Sequence, residues 1–351
     1  MAVLTIETSR PYDVIIGGKI LKQIGAVVKE KFPRAKVAVI SDDIVHSLYG
    51  KTVRDSLIEQ GFTVNAWAFP HGEESKNSAT LTAIWEFLAA HQFTRSDVII
   101  ALGGGVVGDV TGFAAATYLR GIAYIQIPTT FLAAIDSSVG GKTAINLQAG
   151  KNLAGAFYQP SLVYCDYETM KTLPPERFSD GTAEAIKYGV LRDEGLFNIL
   201  AQGEIWQNMA EIIMTCLAIK RDLVIADEFD TGSRQLLNLG HTIGHAIEQE
   251  SAFAITHGHA VAIGMALISQ VAEARGLCPT GTAGLIAQAL RTNDLPTASP
   301  YAMAKLLSTI KLDKKRQGDT INFILPQKIG QCFLYPVAID ELNNFLTING
   351  G

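Results

Sequence analysis

In the first half of the chain, apolar residues fall in short unbroken runs. KVAVISDD (Lys36–Asp43) and DVIIALGGG (Asp97–Gly105) stay apolar and then stop on Asp or Gly, the pattern of strands buried on both faces. AYIQIPTT (Ala123–Thr130) predicts another strand. Between the first two, SATLTAIWEFLAAHQF (Ser78–Phe93) repeats its apolar positions at helical spacing. Strands alternating with helices predict a doubly wound parallel sheet.

Beyond about Cys165 the period changes. DGTAEAIKYGVL, IWQNMAEIIMTCLAIKRDLVIADE, LNLGHTIGHAIEQE, HAVAIGMALISQVAEARG and TAGLIAQALRTNDL all carry apolar residues at helical spacing, several separated by Gly or Pro. Pro174 and Pro175 break regular structure near the change. The expected architecture is an α/β domain over residues 1–170 and a mostly α-helical domain over residues 171–351. No repeat or low-complexity tract interrupts it.

Composition narrows the class. The chain has 351 residues, 48% hydrophobic and 18% charged, enough for two cores of an ordinary globular protein. A net charge of −5 gives no overall basic surface for nucleic acid or an acidic membrane. Cys165, Cys216, Cys278 and Cys332 form no C-x-x-C pair, which argues against a thiolate zinc site or a disulfide framework. Neither a leader-like N-terminus nor an apolar run long enough to span a bilayer is present, so a cytoplasmic location is expected.

Gly103, Gly105 and Gly108 set a G-x-G-x-x-G spacing between a strand and a helix. Such a turn either brings backbone N–H groups to a pyrophosphate or simply packs backbone closely. The acidic residue usual about 20 positions later is absent, since Asp109 comes too early and Asp136 too late. Asp42 or Asp43, at the end of an earlier strand, supplies a ribose contact instead. Thr129 and Thr130 follow a strand directly and Lys142 follows a glycine pair, so they face a ligand crevice or, for the threonines, cap a helix.

A metal site without cysteine needs His and carboxylate ligands. Of seven histidines, His241, His245, His257 and His259 lie close together in sequence. His241 and His245 share a helix face, but Thr242 stands where a zinc peptidase has its catalytic Glu, which removes the peptidase reading. On a helix, positions 257 and 259 diverge and only one can face a given site. Glu184, with Lys187 one turn later, reads either as a surface ion pair or as a carboxylate ligand. Lys142, Lys151, Lys187, Lys220, Arg234 and Lys314–Lys315 sit within or beside these motifs; gathered at one cleft they would repel unless an anionic substrate balanced them.

Together, GGGVVGDVTGFAAATYLRG, IPTTFLAAIDSSVGGKTAIN, GKNLAGAFYQP, TLPPERFSDGTAEAIKYG, DEFDTGSRQLLNLGHTIGHAIE, HGHAVAIGM and DKKRQGD resemble the motifs of the 3-dehydroquinate synthase family, in the family's order. The resemblance implies an NAD-binding α/β domain followed by a helical, metal-bearing domain. It implies Glu184, His241 and His257 as ligands of zinc, with cobalt as a substitute, and His245 at the phosphate and proton-transfer end of the site. It further implies that Lys142, Asn152, Lys187, Lys220, Arg234, Asn238 and Lys314 or Lys315 bind substrate, and that Arg120 reaches the partner's site across a homodimer. For NAD it points to Asp42, Glu73, Lys76, Gly104, Gly105, Val106, Val107, Gly108 and Asp109. Thr129, Thr130, Asp136, Lys142, Lys151, Thr169 and Thr172 complete that set. One position departs: the family usually has Glu where this chain has His259, which makes His259 a rival to His257.

The family reaction converts 3-deoxy-D-arabino-heptulosonate 7-phosphate, a phosphorylated sugar acid, into 3-dehydroquinate and phosphate. NAD oxidises C5 transiently, phosphate is eliminated, the hydride returns, and ring opening with an intramolecular aldol closes the carbocycle, with the metal as Lewis acid. Rival readings are a 2-deoxy-scyllo-inosose or 2-epi-5-epi-valiolone type of sugar phosphate cyclase, whose substrates lack the carboxylate, and a polyol dehydrogenase of the glycerol dehydrogenase type, which accumulates NADH. Arg234 and the DKK segment favour the carboxylate-bearing substrate.

Overall fold

The computed structural model describes residues 1–230, 232–314 and 319–347, with the side chains of 312–314 excepted. Lys315 and the side chain of Lys314 lie outside the described residues, and with them the substrate contact expected of that pair. The strands are β1 (Ala2–Ile6), β2 (Tyr12–Gly17), β3 (Val37–Asp42), β4 (Val64–Phe69), β5 (Val98–Gly103), β6 (Ala123–Pro128), β7 (Lys142–Leu147), β8 (Gly150–Phe157), β9 (Leu162–Asp166), β10 (Thr320–Lys328) and β11 (Gln331–Ala338). The helices run α1 (Ile24–Lys31), α2 (Asp43–Val45), α3 (Lys51–Glu59), α4 (Ser78–Ala90), α5 (Gly105–Thr117), α6 (Pro175–Arg192) and α7 (Glu194–Ala201). They continue as α8 (Met209–Ala226), α9 (His241–Glu250), α10 (His257–Ala274), α11 (Thr282–Thr292), α12 (Met303–Lys314) and α13 (Leu342–Leu346).

The chain divides into two compact units, Met1–Leu173 with Lys220–Phe229, and Pro174–Ile219 with Asp230–Gly351. A boundary between residues 170 and 171 puts 220–229 with the second half. The structure counts them with the first because Lys220 donates to the main-chain oxygen of Asp136 at 2.7 Å and Glu228 accepts from Ser9 and Gln159.

The first unit is built on a seven-stranded sheet, ordered β1-β2-β9-β6-β5-β3-β4. All neighbours are parallel except β1 and β2, so the parallel sheet expected from the sequence carries an antiparallel edge strand. Alternation along the buried strands sends side chains to opposite faces. Val37, Val39, Val98, Ile100, Leu102, Ile125 and Ile127 pack against Ile24 and Val28 of α1 and Val53 and Leu57 of α3. Ala38, Ile40, Ile99, Ala101 and Tyr124 face Leu81, Ile84 and Leu88 of α4 and Val107, Val110 and Ala114 of α5. Burying both faces explains why these strands read as continuous apolar runs. Separate from the sheet, β7 and β8 form an antiparallel hairpin.

In the second unit α6 packs on α7 and α10, and α10 on α9 and α11. Helix α6 is buried without a break from Ser179 to Leu191. Its approach to α10 is close enough that a Cβ on Gly258 would stand 2.3 Å from main-chain atoms of Asp180, so the first turn of α10 needs glycine there. Among the described residues the mostly helical reading has one exception, the hairpin β10–β11. No helix among the described residues is long and apolar enough to cross a membrane, and all four cysteines are free thiols.

Candidate functional site

In the second unit, three helices bring a carboxylate and two imidazoles together. Glu184 extends from α6, His241 opens α9 and His257 opens α10. His241 Nε2 lies 3.4 Å and His257 Nε2 3.5 Å from the same oxygen, Glu184 Oε1. The Nδ1 of His241 faces the main-chain oxygen of Leu239 at 3.1 Å, and the Nδ1 of His257 faces Glu248 Oε2 at 3.1 Å. With each Nδ1 facing an acceptor, both Nε2 atoms are turned to the shared centre. Glu184 is fully buried and neither of its oxygens has an aligned hydrogen bond. One oxygen and two nitrogen donors around an enclosed carboxylate are a donor set suited to zinc or a similar divalent ion.

Burial alone would raise the Glu184 carboxyl, but Lys187, then His241 and His257, hold it well below the usual carboxylate range. Lys187 and Glu184 form the i,i+3 ion pair that their spacing suggested, yet both side chains are buried, so it is no surface pair. Burial drives His241 down to about 3 against the pull of Glu184, which keeps the ring neutral and its lone pair available. At His257 burial also pushes downward, but the carboxylates of Glu184 and Glu248 outweigh it and lift the pKa to about 10. A metal at these nitrogens must therefore displace a proton from His257. Affinity is expected to rise about tenfold per pH unit while that proton is bound and to level off as pH passes about 10. Chelator competition across a pH series checks this; a flat profile would contradict it.

His259 takes a different direction from His257. Its Nδ1 meets Thr256 Oγ1 at 2.5 Å and lies 3.7 Å from Asp180 Oδ1, while Nε2 lies 3.3 Å from Ser179 Oγ. Asp180 Oδ1 also accepts from Thr256 Oγ1 at 2.6 Å and from the His259 main-chain N–H at 3.2 Å. The imidazole at the departing position is thus spent on fastening the start of α10 to α6. His245 is exposed one turn along α9, its ring centred 5.4 Å from that of His241 and 5.9 Å from that of His257. Arg234, buried, and Asn238, exposed, belong to the 3-10 turn Ser233–Asn238 that leads into α9.

A second cluster lies in the first unit, at the C-terminal ends of β3, β5 and β6. Gly104 caps α5 without a side chain, leaving the first-turn N–H groups of Gly105, Val106 and Val107 for an anion. A Cβ on Gly104 would stand 2.8 Å from Thr130 Cγ2; the turn is shaped by the absence of that atom. Thr129 Oγ1 is buried with no hydrogen-bond partner, whereas Thr130 Oγ1 accepts from the Ala133 N–H at 3.2 Å, so the capping alternative describes Thr130. Gly108 continues α5 on the buried side, where a Cβ would meet Gln126 Oε1 at 2.7 Å. Asp42 ends β3 and accepts from the Val45 N–H at 2.8 Å. Tyr49 Oη bonds to the main-chain oxygen of Thr169 and to Thr172 Oγ1, tying those two residues to α3's approach.

The hairpin joins this cluster. Asn146 Nδ2 donates to Glu73 Oε1 at 2.7 Å, its N–H donates to the main-chain oxygen of Lys76, and its Oδ1 accepts from the Asn152 N–H. Lys142 begins β7 and Lys151 is the second residue of β8, both exposed. Lys76 pairs with Asp109 at 2.5 Å and Lys220 pairs with Asp136. Of the cations singled out from the sequence, Lys187 and Lys220 each face a carboxylate of the chain, as Lys76 does. Arg120 is exposed after α5, in a turn where Leu119, Arg120 and Gly121 all have positive φ, a sterically uncommon conformation for the first two. Sequence reasoning missed Glu248, whose only local signal is its place three residues after His245 on the same helix.

Comparison with known proteins adds to this geometry. Residues 66–180 match the family model described as 3-dehydroquinate synthase N-terminal, and residues 181–316 the one described as 3-dehydroquinate synthase C-terminal. A 3-dehydroquinate synthase from Streptococcus suis is 44% identical over 345 residues, covering 96% of this chain and 97% of that protein. The structure of a 2-deoxy-scyllo-inosose synthase complexed with carbaglucose-6-phosphate, NAD+ and Co2+ superposes with a TM-score of 0.87 at 28% identity, covering 98% of this chain and 99% of the other. That of a 2-epi-5-epi-valiolone synthase from Streptomyces hygroscopicus subsp. jinggangensis with NAD+ and Zn2+ gives 0.86 at 25%, covering 95% of each.

Proposed function

The chain belongs to the 3-dehydroquinate synthase family, and from that premise we propose that it converts 3-deoxy-D-arabino-heptulosonate 7-phosphate into 3-dehydroquinate and inorganic phosphate. Its cofactors in this reading are NAD and a divalent metal, zinc or cobalt. The observation that carries the reading is the convergence of His241 and His257 on one oxygen of buried Glu184, a ready-made set of three ligands in a chain of this family. The pathway is then the shikimate route to aromatic amino acids, and the working form a cytoplasmic homodimer to which Arg120 contributes across the interface.

When bound, NAD supplies a reversible hydride acceptor for the C5 hydroxyl, and the metal supplies a Lewis acid for neighbouring substrate oxygens. The chain's own residues do the rest. The N–H groups at the start of α5 hold the dinucleotide pyrophosphate, and Asp42 accepts from a ribose hydroxyl. Glu73, Lys76, Asp109, Thr129, Thr130, Asp136, Lys151, Thr169 and Thr172 line the same cofactor. Glu184, His241 and His257 hold the metal. Lys142, Asn152, Arg234 and Asn238 bind the carboxylate and hydroxyls of the substrate. Lys187, Lys220 and His245 hold the phosphate end and stabilise the negative charge that grows there as the C–O bond breaks, while Lys314 joins Arg234 at the carboxylate. Phosphate is basic enough to take the C6 proton itself, which leaves the side chains a task of positioning.

Purified protein with NAD and the heptulosonate phosphate is expected to release phosphate with no net NADH, and to stop when the metal is chelated. A hexose 6-phosphate, which lacks the carboxylate, is expected to release none. Sustained NADH accumulation would sink the cyclase reading in favour of a dehydrogenase.

A further inference from the structure

We infer that Glu248 is a positioning residue that holds the imidazole of His257 in its metal-binding orientation, an inference that rests on the metal reading above. Glu248 sits on α9, one turn beyond His245, and is 6% exposed. A carboxylate removed from water to that degree needs charged or hydrogen-bonding company. Its Oε2 lies 3.1 Å from His257 Nδ1, and Glu184 Oε1 lies 3.5 Å from Nε2 of the same ring. The ring is therefore gripped at both nitrogens by carboxylates from different helices. With Nδ1–H donated to Glu248, Nε2 faces the centre shared with Glu184 and His241.

The two imidazoles are not backed alike. His241 leans on a main-chain carbonyl, that of Leu239, which carries no net charge. His257 leans on a full carboxylate, which raises the basicity of the ligating nitrogen and adds negative charge behind the site. It also needs more restraint: its side chain is 37% exposed, against 13% for His241. His259 gives it no help at the ring, being engaged by Thr256, Ser179 and Asp180.

His245, Glu248 and His257 also offer donor atoms that all lie within 4.8 Å of one another, so the test must separate a carboxylate that orients a ligand from one that binds a second ion. The isosteric Glu248→Gln keeps shape and one acceptor oxygen; Glu248→Ala removes both. Metal stoichiometry and affinity are measured by chelator competition on the full-length protein with Zn2+ and with Co2+, together with the Co2+ absorption spectrum and the melting temperature of the metal-free form. The expected result is one ion per chain in parent and variants, and a loss of affinity of ~10–100-fold in both variants. Co2+ bands should shift and excess metal should restore turnover, with the metal-free melting temperature of Glu248→Gln unchanged. Parent-like affinity in Glu248→Gln, or a second ion in the parent that the variants lack, would overturn the inference while leaving Glu184, His241 and His257 as ligands. A parent that binds no metal, or a Glu184→Gln variant that binds it as well as the parent, would overturn the metal reading on which it rests.

Discussion

Glu184→Gln is expected to release the metal and to lower phosphate release by ~10^3-fold or more, the equivalent of about 4 kcal/mol of lost transition-state stabilisation. Glutamine fills the same volume, so helix α6 keeps its packing. What disappears is the charge. His241 Nε2 and His257 Nε2 lose the oxygen on which both converge, and Lys187, 1% exposed, loses the carboxylate it faces. Stranding one member of a buried pair destabilises by about 3–5 kcal/mol, so the variant should also melt earlier. Elemental analysis, a thermal melt and the phosphate assay read the three consequences separately. A variant that melts early but retains one metal per chain would show that Glu184 serves Lys187 and not a metal.

The second large effect separates two histidines that the sequence presents as a pair. His241→Ala and His245→Ala should each lower turnover, by ~10^2–10^4-fold, the range of a lost acid–base or charge-stabilising group. Only His241→Ala should release the metal. His241 has its Nε2 on Glu184 and its Nδ1 on the Leu239 carbonyl; His245, exposed a turn later, is outside the Glu184 donor group. A shared helix face is therefore not a shared ligand role. Equal loss of metal in the two variants would refute this division.

The sheet was legible because its central strands are buried on both faces. Residues 98–103, for example, are buried throughout and cannot be mistaken for an amphipathic helix of useful length. The hairpins were not. Lys142–Leu147 buries only Thr143 and Ile145, Gly150–Phe157 buries no residue fully, and both contain small residues, so the stretches carrying Lys142, Lys151 and Asn152 read as ligand loops. Thr320–Lys328 contains Pro326, which usually argues against a strand, and follows a long helical tract. At the site, helical spacing brought out His241 and His245, clustering brought out Glu184, His257 and His259 as open candidates, and resemblance chose Glu184 and His257 among them. Nothing local could show that Glu248 backs His257, or that Lys76 and Lys220 have Asp109 and Asp136 beside them. Those are contacts between elements, and only the fold makes them.

The composition of the first unit from two stretches of chain bears on how it is made. Ser9 waits 219 positions for Glu228, and Asp136 waits 84 for Lys220. On a ribosome that delivers residues in order, the sheet can pair long before either partner emerges, so this unit must exist for a time as a nearly finished body with a bare seam. Closing a loop that long slows the last step more than it weakens the product. The first 173 residues expressed alone should therefore give a species that holds its strands, exposes the seam and aggregates. Supplying residues 220–229 as a separate peptide is then the natural way to ask how much of its stability that short segment provides.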